Sequence, residues 1–102
     1  MGSPRITTQT LAVLSAFINS GQELAGSDLA RDTKLQSGTL YPILLRLEEA
    51  GWLESRWEVP TASELGRPRR RLYKLTGTGA RAAAEELRKM AALVGGPAWG
   101  TF

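Results

Sequence analysis

The chain has 102 residues, of which 42% are hydrophobic and 23% are charged, and it carries a net charge of +3. This length allows one small domain with a single hydrophobic core. The chain contains no cysteine, which excludes disulfide scaffolds and thiolate chemistry. It also contains no histidine, so a metal site would need carboxylates alone. We therefore expect no metal and no cofactor.

A first helix is predicted from Thr7 or Thr8 to about Asn19, because a threonine hydroxyl caps a helix N-terminus. Its apolar residues cover more than one face. One face can serve the core of the domain, and the surplus indicates a second buried contact. A turn at 19–21 and a short extended piece at 22–24 follow.

A short second helix and a longer third helix come next, and the tight turn between them is typical of a helix-turn-helix. Ser27 is the predicted cap of the second helix, which runs to about Thr33, and Ser37 is the predicted cap of the third. Gly51 ends the third helix, since glycine adopts the left-handed C-terminal conformation without strain. Apolar residues at i, i+3, i+4 and i+7 predict one buried stripe on this helix: Leu40, Ile43, Leu44 and Leu47.

The opposite face of the third helix carries small, hydroxyl-bearing and cationic residues: Gly38, Thr39, Pro42 and Arg46. Such a face can approach an anionic surface closely, and DNA is the leading candidate. Tyr41 either packs beside the core stripe or donates its hydroxyl to a phosphate. Pro42 removes a backbone donor inside the helix, which produces a mild kink or else offers a donor-free apolar surface to a thymine methyl.

After the third helix the hydrophobic pattern changes to period two, which predicts strands over 52–58 and 72–75. Between them, residues 59–68 contain two prolines and a glycine, and we predict a loop. Two strands with a long hairpin after a helix-turn-helix make a winged helix. The predicted fold class is therefore mainly α with a small β-hairpin (α+β), with a dimer interface formed by the first and last helices.

Arginines cluster at or beside this hairpin, the predicted wing: Arg67, Arg69, Arg70 and Arg71. Arginine carries a planar, permanently charged fork that suits phosphate oxygens and narrow minor grooves. Such a cluster beside a helix-turn-helix favours nucleic acid as the partner. The alternative is a solvated hairpin end whose arginines form ion pairs with acidic residues: Glu54, Glu58 and Glu64.

Thr76 is the predicted cap of a last helix that runs from Gly77 to about Val94. Its apolar residues from Ala80 onward follow spacings of three and four, which is typical of a heptad seam. The seam could pack on its own domain alone, but spare apolar faces on the first and last helices favour a homodimer. The predicted interface residues are Leu11, Leu14, Phe17, Ile18, Ala83, Leu87, Met90 and Val94. Residues 1–94 then form one DNA-binding and dimerisation domain, and residues 95–102 a C-terminal tail.

Three segments of the chain resemble the PadR family of bacterial transcriptional regulators: Gly-Thr-Leu-Tyr-Pro at 38–42, Arg-Leu-Glu with Gly-Trp-Leu at 46–53, and residues 66–76 with Gly79. The resemblance covers about residues 8–94 and is specific because these motifs occur together in this order. It implies a homodimeric winged-helix repressor that releases DNA on binding a small molecule. It also implies that the helix from Ser37 enters the major groove and the wing the minor groove. The chain is similar to the short subgroup, whose dimer is made by the first and last helices.

The sequence therefore predicts a DNA-binding transcriptional regulator, a repressor of a palindromic operator in double-stranded DNA, and not an enzyme. An enzyme is not predicted because the sequence lacks histidine and cysteine and contains neither a glycine-rich phosphate loop nor a paired-carboxylate motif. The alternatives are a winged helix used only for protein contacts and a constitutive regulator without a ligand. A cytoplasmic location with no membrane contact is expected, since no signal peptide or spanning apolar run is present. The predicted DNA contacts are Lys34, Gln36, Ser37, Gly38, Thr39, Tyr41, Pro42, Arg46, Arg67, Arg69, Arg70 and Arg71.

A small aromatic effector is the remaining predicted partner. The two recognition helices of a dimer must be separated by one turn of the duplex, roughly 34 Å. A ligand wedged between the first and last helices would change that separation and release the DNA. The predicted lining of this pocket is Val13, Phe17, Met90 and Trp99. Trp52, Trp57 and Phe102 are further aromatic candidates, although packing in the core or the wing is favoured for the first two.

Overall fold

Helices and short strands make up the fold of residues 4–93, the part of the chain that a computed structural model describes. In chain order the elements are α1 (Thr8–Ser20), β1 (Leu24–Ala25), α2 (Gly26–Thr33), α3 (Ser37–Glu49), β2 (Leu53–Trp57), α4 (Ala62–Leu65), β3 (Arg71–Leu75) and α5 (Gly77–Leu93). The predicted mainly helical class with a small sheet is confirmed. Val94, Trp99 and the boundary between the predicted domain and tail lie outside the described residues.

Threonine caps begin α1 and α5, as the sequence predicts. The Thr7 hydroxyl accepts the Thr10 N–H at 3.1 Å. At the other helix, the Thr76 hydroxyl accepts the Gly79 N–H at 2.9 Å. Each bond satisfies one of the backbone donors that the first helical turn leaves without a partner.

The two predicted serine caps are wrong by one residue or more. Helix α2 begins after Ala25, because the Asp28 carboxylate accepts the Ala25 N–H at 2.9 Å and so replaces a hydroxyl cap. Helix α3 begins after Gln36, and Ser37 is its first helical residue. The predicted end of α3 is confirmed: Gly51 has a φ of +79°, and its N–H donates to the Glu48 carbonyl at 3.0 Å.

A three-stranded antiparallel sheet with the order β1-β3-β2 follows the helix-turn-helix. Its central strand pairs Tyr73 with Leu24 on one side and with Ser55 on the other. The extended piece predicted at 22–24 therefore corresponds to strand β1 of this sheet, which occupies Leu24–Ala25. Strand β2 and strand β3 form the hairpin that we call the wing.

The predicted loop at 59–68 is wrong in one respect, since it contains the short helix α4. The Thr61 hydroxyl accepts the Glu64 N–H at 3.2 Å, and the Glu64 carboxylate accepts the Thr61 N–H at 3.0 Å. This reciprocal pair is a capping box, which stabilises the start of a helix. The signal was present in the sequence as threonine and glutamate three residues apart, next to the more conspicuous prolines.

The hydrophobic core lies between α1, α3, the sheet and the start of α5. The predicted α3 stripe is confirmed, because all four of its side chains are buried.

Helix α5 packs against this core through a close backbone contact. The Thr76 N–H donates to the Trp52 carbonyl at 3.0 Å, and a Cβ on Gly79 would lie 1.9 Å from the same carbonyl oxygen. Only glycine fits at this position.

Some residues of the predicted dimer interface are buried in the core of the single chain. Leu14, Phe17 and Ala83 are buried in the hydrophobic core, because α1 packs on α5 and α2 of its own subunit. The same holds for Val13 of the predicted effector pocket, which is fully buried. These side chains are therefore not available to a second copy. Side chains that keep exposed or half-exposed apolar surface are Leu11, Ile18, Leu87 and Met90.

None of the helices within residues 4–93 combines the length and the apolar composition that crossing a bilayer requires. The same residues contain no cluster of acidic side chains arranged to hold a metal ion.

Candidate nucleic-acid interface

The turn between α2 and α3 presents polar residues at the start of the third helix. Lys34, Gln36 and Ser37 are all exposed. Lys34 ends α2 in the left-handed conformation, with a φ of +63°, and its N–H donates to the Ala30 carbonyl at 2.8 Å. The Thr33 hydroxyl donates to the Leu29 carbonyl at 2.6 Å, which holds the last turn of α2 against the connection. The strained lysine therefore occupies the point where the chain reverses toward α3.

The outer face of α3 carries the predicted contact residues on one side of the helix. Gly38, Pro42 and Arg46 are exposed, and Thr39 is half-buried at the edge. Leu45, which the sequence analysis did not select, is also on this face and is 56% exposed. It directly follows Leu44 of the buried stripe, so its hydrophobicity alone did not distinguish it from a core residue. Its signal was its spacing of seven residues from Gly38, which places both on the outer face.

Tyr41 links the outer face of α3 to the start of α2. A Cβ on Gly26 would lie 2.1 Å from the Tyr41 hydroxyl oxygen and 2.8 Å from Cζ, so the phenol ring lies directly against the Gly26 backbone. The side chain is nevertheless 46% exposed. This contact supports the packing interpretation of Tyr41, and its action on a phosphate stays a prediction.

One carboxylate organises the outer side of the wing. Glu58 accepts two hydrogen bonds from the Arg67 guanidinium, at 2.8 and 3.1 Å, and a third from the Arg70 N–H at 2.8 Å. The Arg70 Nε lies 3.6 Å from the same carboxylate. These bonds, chiefly those from Arg67, lower the pKa of Glu58 to about 2. The alternative of ion pairs at the hairpin is thus correct for Glu58, whereas no such pair with Glu54 or Glu64 occurs among residues 4–93.

The other two arginines contact an aromatic ring instead of an acid. The guanidinium carbons of Arg69 and Arg71 lie 6.0 and 5.2 Å from the centroid of the Trp57 ring, which is the range of a cation–π contact. Trp57 is 51% exposed. In the described part of the chain neither guanidinium forms an ion pair with a carboxylate. We call these three residues the Trp57 patch.

The Trp57 patch lies on the side of the sheet that faces α3. Side chains two residues apart on a strand share a face, so Trp57 and Ser55 point to the same side. Ser55 donates its hydroxyl to the Glu48 carboxylate in the last turn of α3, at 2.5 Å, and accepts the Arg71 Nε–H at 3.1 Å. The Glu58 cluster occupies the opposite face. The hairpin thus separates two arginines that share the Glu58 carboxylate, on its outer side, from two arginines without an ion pair, on the side of α3.

An unpredicted ion pair fixes the base of the wing. The Arg56 guanidinium donates to both oxygens of Glu23, at 2.9 and 2.6 Å, across the intervening strand β3. Two parallel bonds of this kind are stronger and more directional than a single one. They raise the pKa of Arg56 and lower that of Glu23. Arg56 is therefore an anchor of the sheet rather than a cation available to a ligand.

The predicted effector pocket is not assembled within the single chain. A cavity of about 290 Å³ lies between the end of α1, strand β3 and the start of α5. Phe17 is the one predicted pocket residue among those that line it, together with Ile18, Gly21, Gln22, Glu23, Lys74, Leu75 and Ala80. Val13 belongs to the core, and Trp99 lies outside the described residues. Met90 is half-buried and does not line this cavity.

The sequence profile of the transcriptional regulator PadR-like family matches residues 11–85 of the chain. Among solved structures, the smu.1704 protein of Streptococcus mutans UA159 is 25% identical, and the alignment covers 91% of this chain and 86% of that one, with a TM-score of 0.69. A search of curated protein sequences gives no match.

Two further solved structures were determined with a bound partner. Bacillus subtilis PadR, in complex with operator DNA, is 20% identical, with 79% of this chain and 48% of that chain covered and a TM-score of 0.65. The PcaV transcriptional regulator of Streptomyces coelicolor, in complex with its natural ligand, is 22% identical, with 90% and 62% covered and a TM-score of 0.69. These likenesses show the winged-helix fold.

Proposed function

Since the chain belongs to the PadR-like family of transcriptional regulators, whose members are not enzymes, we propose that it binds operator DNA through α3 and the wing. The observation that carries this proposal is the Trp57 patch: two guanidinium groups that form no ion pair within residues 4–93 lie on the side of the sheet that faces α3. Positive charge placed beside a recognition helix is what phosphate binding requires. A winged helix used only for protein contacts would have no need of it.

The predicted contacts divide into three groups on this proposal. Lys34, Arg46, Arg69 and Arg71 bind phosphates and position the protein, while Gln36 and Thr39 reach base edges. Ser37, Gly38, Tyr41 and Pro42 belong to the surface of α3 that enters the groove. Arg67 and Arg70 act indirectly, because Glu58 already holds them and they shape the hairpin instead.

Selection from a random duplex library with the 102-residue chain tests DNA binding and reveals any palindrome. The selected duplex is then titrated at several salt concentrations. Arg69→Ala and Arg71→Ala should each lower the affinity and flatten the salt dependence by about one unit per lost phosphate contact. Arg88→Ala, which removes an exposed arginine of α5 that pairs with Glu85, is the matched control and should bind like the parent. Equal affinities and slopes for all four proteins would contradict a role of the patch.

We further propose that the chain acts as a homodimeric repressor. Apolar surface that remains exposed on α1 and α5 supports a second subunit, and Ile18 is 40% exposed in the single chain. Ile18→Asp removes no core side chain, so it should convert a dimer to a folded monomer in sedimentation. Val59→Asp, at an exposed wing position, should leave the dimer intact. A parent that sediments as a monomer at tens of micromolar would refute the dimer.

Release by a small aromatic effector is the last part of the proposal. It is supported by the family resemblance and by the ligand-bound state of PcaV, a protein of similar fold. An effector must bind the DNA-free form more tightly than the DNA-bound form, since only differential affinity shifts the equilibrium. Planar phenolic or cationic compounds should therefore quench tryptophan fluorescence and release the selected duplex together. If none does both, the chain is a constitutive regulator.

A further inference from the structure

An apolar strip runs along the outside of α3, formed by Gly38, Pro42 and Leu45. Their spacing of i, i+4 and i+7 places them on one face of the helix. Pro42 is exposed, Leu45 is 56% exposed, and a Cβ built on Gly38 would meet no atom within 4 Å. Nothing in the described part of the chain covers the strip.

Pro42 and Leu45 offer no hydrogen-bond donor to a ligand. The leucine side chain has no polar group, and proline has no N–H. Gly38 keeps a backbone N–H in the first turn of α3, where such groups lack a partner within the helix. Because Pro42 cannot donate to the Gly38 carbonyl, that carbonyl also lacks its usual partner within the helix. The surface between these residues therefore combines apolar groups with one backbone acceptor.

The major groove contains one apolar group that such a surface fits. Guanine N7 and O6, adenine N7 and thymine O4 are acceptors, and adenine N6 and cytosine N4 are donors. The side chains of Pro42 and Leu45 can pair with neither kind of group. The C5 methyl of thymine is the apolar group on the floor of the groove, and it is read by apolar side chains. The flanking Arg46 and the preceding Lys34 are exposed cations that suit the phosphates on either side of the groove.

A protein partner fits this surface less well. Three residues supply only a small part of the roughly 800 Å² that each side of a stable protein interface buries. The cationic flanks also favour a polyanion over an apolar protein surface. Glu49, which is exposed one turn beyond Leu45, would repel phosphates, so the first turns of α3 are the part that approaches the bases.

We propose that the apolar strip reads thymine methyl groups in the major groove, and that Leu45 is the residue that determines this preference. The inference rests on the proposed function, because it requires α3 to enter the major groove. The structure adds Leu45 to the donor-free surface that Pro42 alone predicted. Operator half-sites should accordingly contain thymine at one or two positions opposite the strip.

Replacement of thymine by uracil, which removes only the methyl group, tests the proposal. A duplex selected by the 102-residue chain is resynthesised with uracil at one thymine at a time, and each dissociation constant is measured. The parent should bind about fourfold more weakly for each methyl that the strip contacts, the factor expected for one buried methylene-sized group. The loss should be confined to one or two positions in each half-site.

Leu45→Ala distinguishes a direct contact from an effect of the DNA itself. This variant keeps the helix and removes no buried side chain, so it should bind thymine and uracil duplexes with the same affinity at those positions. Val59→Ala, an exposed apolar residue of the wing hairpin that is 83% exposed, is the control and should retain the fourfold ratio.

Three results would overturn the proposal. If the parent binds every uracil duplex as tightly as the thymine duplex, methyl groups are not read, although DNA binding itself stands. If Leu45→Ala retains the fourfold ratio, the preference arises from DNA shape or from another residue. If the parent binds no duplex at all, this inference fails together with the proposed function.

Discussion

The hydroxyl of Ser55 on β2 donates to the carboxylate of Glu48 in the last turn of α3, over 2.5 Å. The same hydroxyl accepts the Nε–H of Arg71, so one small side chain connects the third helix, the wing and a cation of the Trp57 patch. A hydrogen bond to an ionised carboxylate is stronger than one between neutral groups. The wing is thereby held at a defined position relative to α3.

Ser55→Ala should break this connection. We expect the free energy of unfolding to fall by about 1.5 kcal/mol, because a half-buried carboxylate loses its donor. DNA affinity should fall several-fold in addition, since α3 and the wing would no longer be held together. Ser63→Ala, at an exposed position of α4, is the control for denaturant unfolding and for binding. Identical values for the two variants would show that the bond contributes nothing.

The Glu58 cluster should make stability depend on acid. The pKa of Glu58 is lowered from its ordinary value of 4.5 to about 2, first by the Arg67 guanidinium and then by the Arg70 N–H. The folded chain therefore binds this proton less readily than the unfolded chain. The stabilisation is fully present above pH 4.5 and is lost as the pH falls toward about 2.

Glu58→Gln cannot ionise and should lose less stability than the parent over that range. Thermal unfolding midpoints measured in steps from neutral pH into this acidic range report the difference directly. Glu54→Gln removes the same formal charge on β2 without removing one of these hydrogen bonds, so its curve should follow the parent. Parallel curves for the parent and Glu58→Gln would contradict the role of the cluster.

Gly79→Ala should destabilise the protein by about 3 kcal/mol, the upper part of the range for overpacking. Its Cβ would lie 1.9 Å from the Trp52 carbonyl oxygen, a backbone atom that cannot rotate away. Gly77→Ala is the matched control in the same helical turn, where the nearest atom is Arg81 Nη1 at 3.7 Å. That change should be neutral or stabilising by up to about 1 kcal/mol, as alanine is the better helix former. Similar losses in both variants would refute the contact.

Lys34→Gly should raise the free energy of unfolding by about 0.5–1 kcal/mol, because Lys34 holds a left-handed conformation that glycine adopts without strain. Lys89→Gly, inside α5, should instead lower the free energy of unfolding by about 1 kcal/mol. The DNA affinity of Lys34→Gly should nevertheless fall, and that of Lys34→Asn equally, if the lysine charge contacts phosphate. Unchanged binding in both variants would remove Lys34 from the interface.

Features that depend on near neighbours in the chain could be predicted closely. The buried stripe of α3 follows from the helical period, and the threonine caps and Gly51 follow from local hydrogen bonding and backbone freedom. The outer face of α3 follows as the complement of the stripe. Leu45 was missed because a period-based reading assigns hydrophobic residues to the core first.

The partners of the clustered arginines could not be predicted from such local patterns. Four arginines within five residues look alike in the sequence, yet two of them pair with the Glu58 carboxylate and the other two lie against the Trp57 ring. Which side of the hairpin each one occupies depends on the strand register and on the partners that the fold brings near. Neither can be obtained from spacing alone.

Every element except α4, most of the element ends and the winged-helix order could be predicted from the amino-acid sequence, since helical and strand periods, caps and glycine turns act over a few residues. The tertiary structure alone decided how the apolar surplus is used: Leu14, Phe17 and Ala83 close the core of a single chain. It also joined α3 to the wing through Glu48, Ser55 and Arg71. The physical reason is that a side chain's burial and charge state depend on groups distant in sequence, which only packing brings into contact.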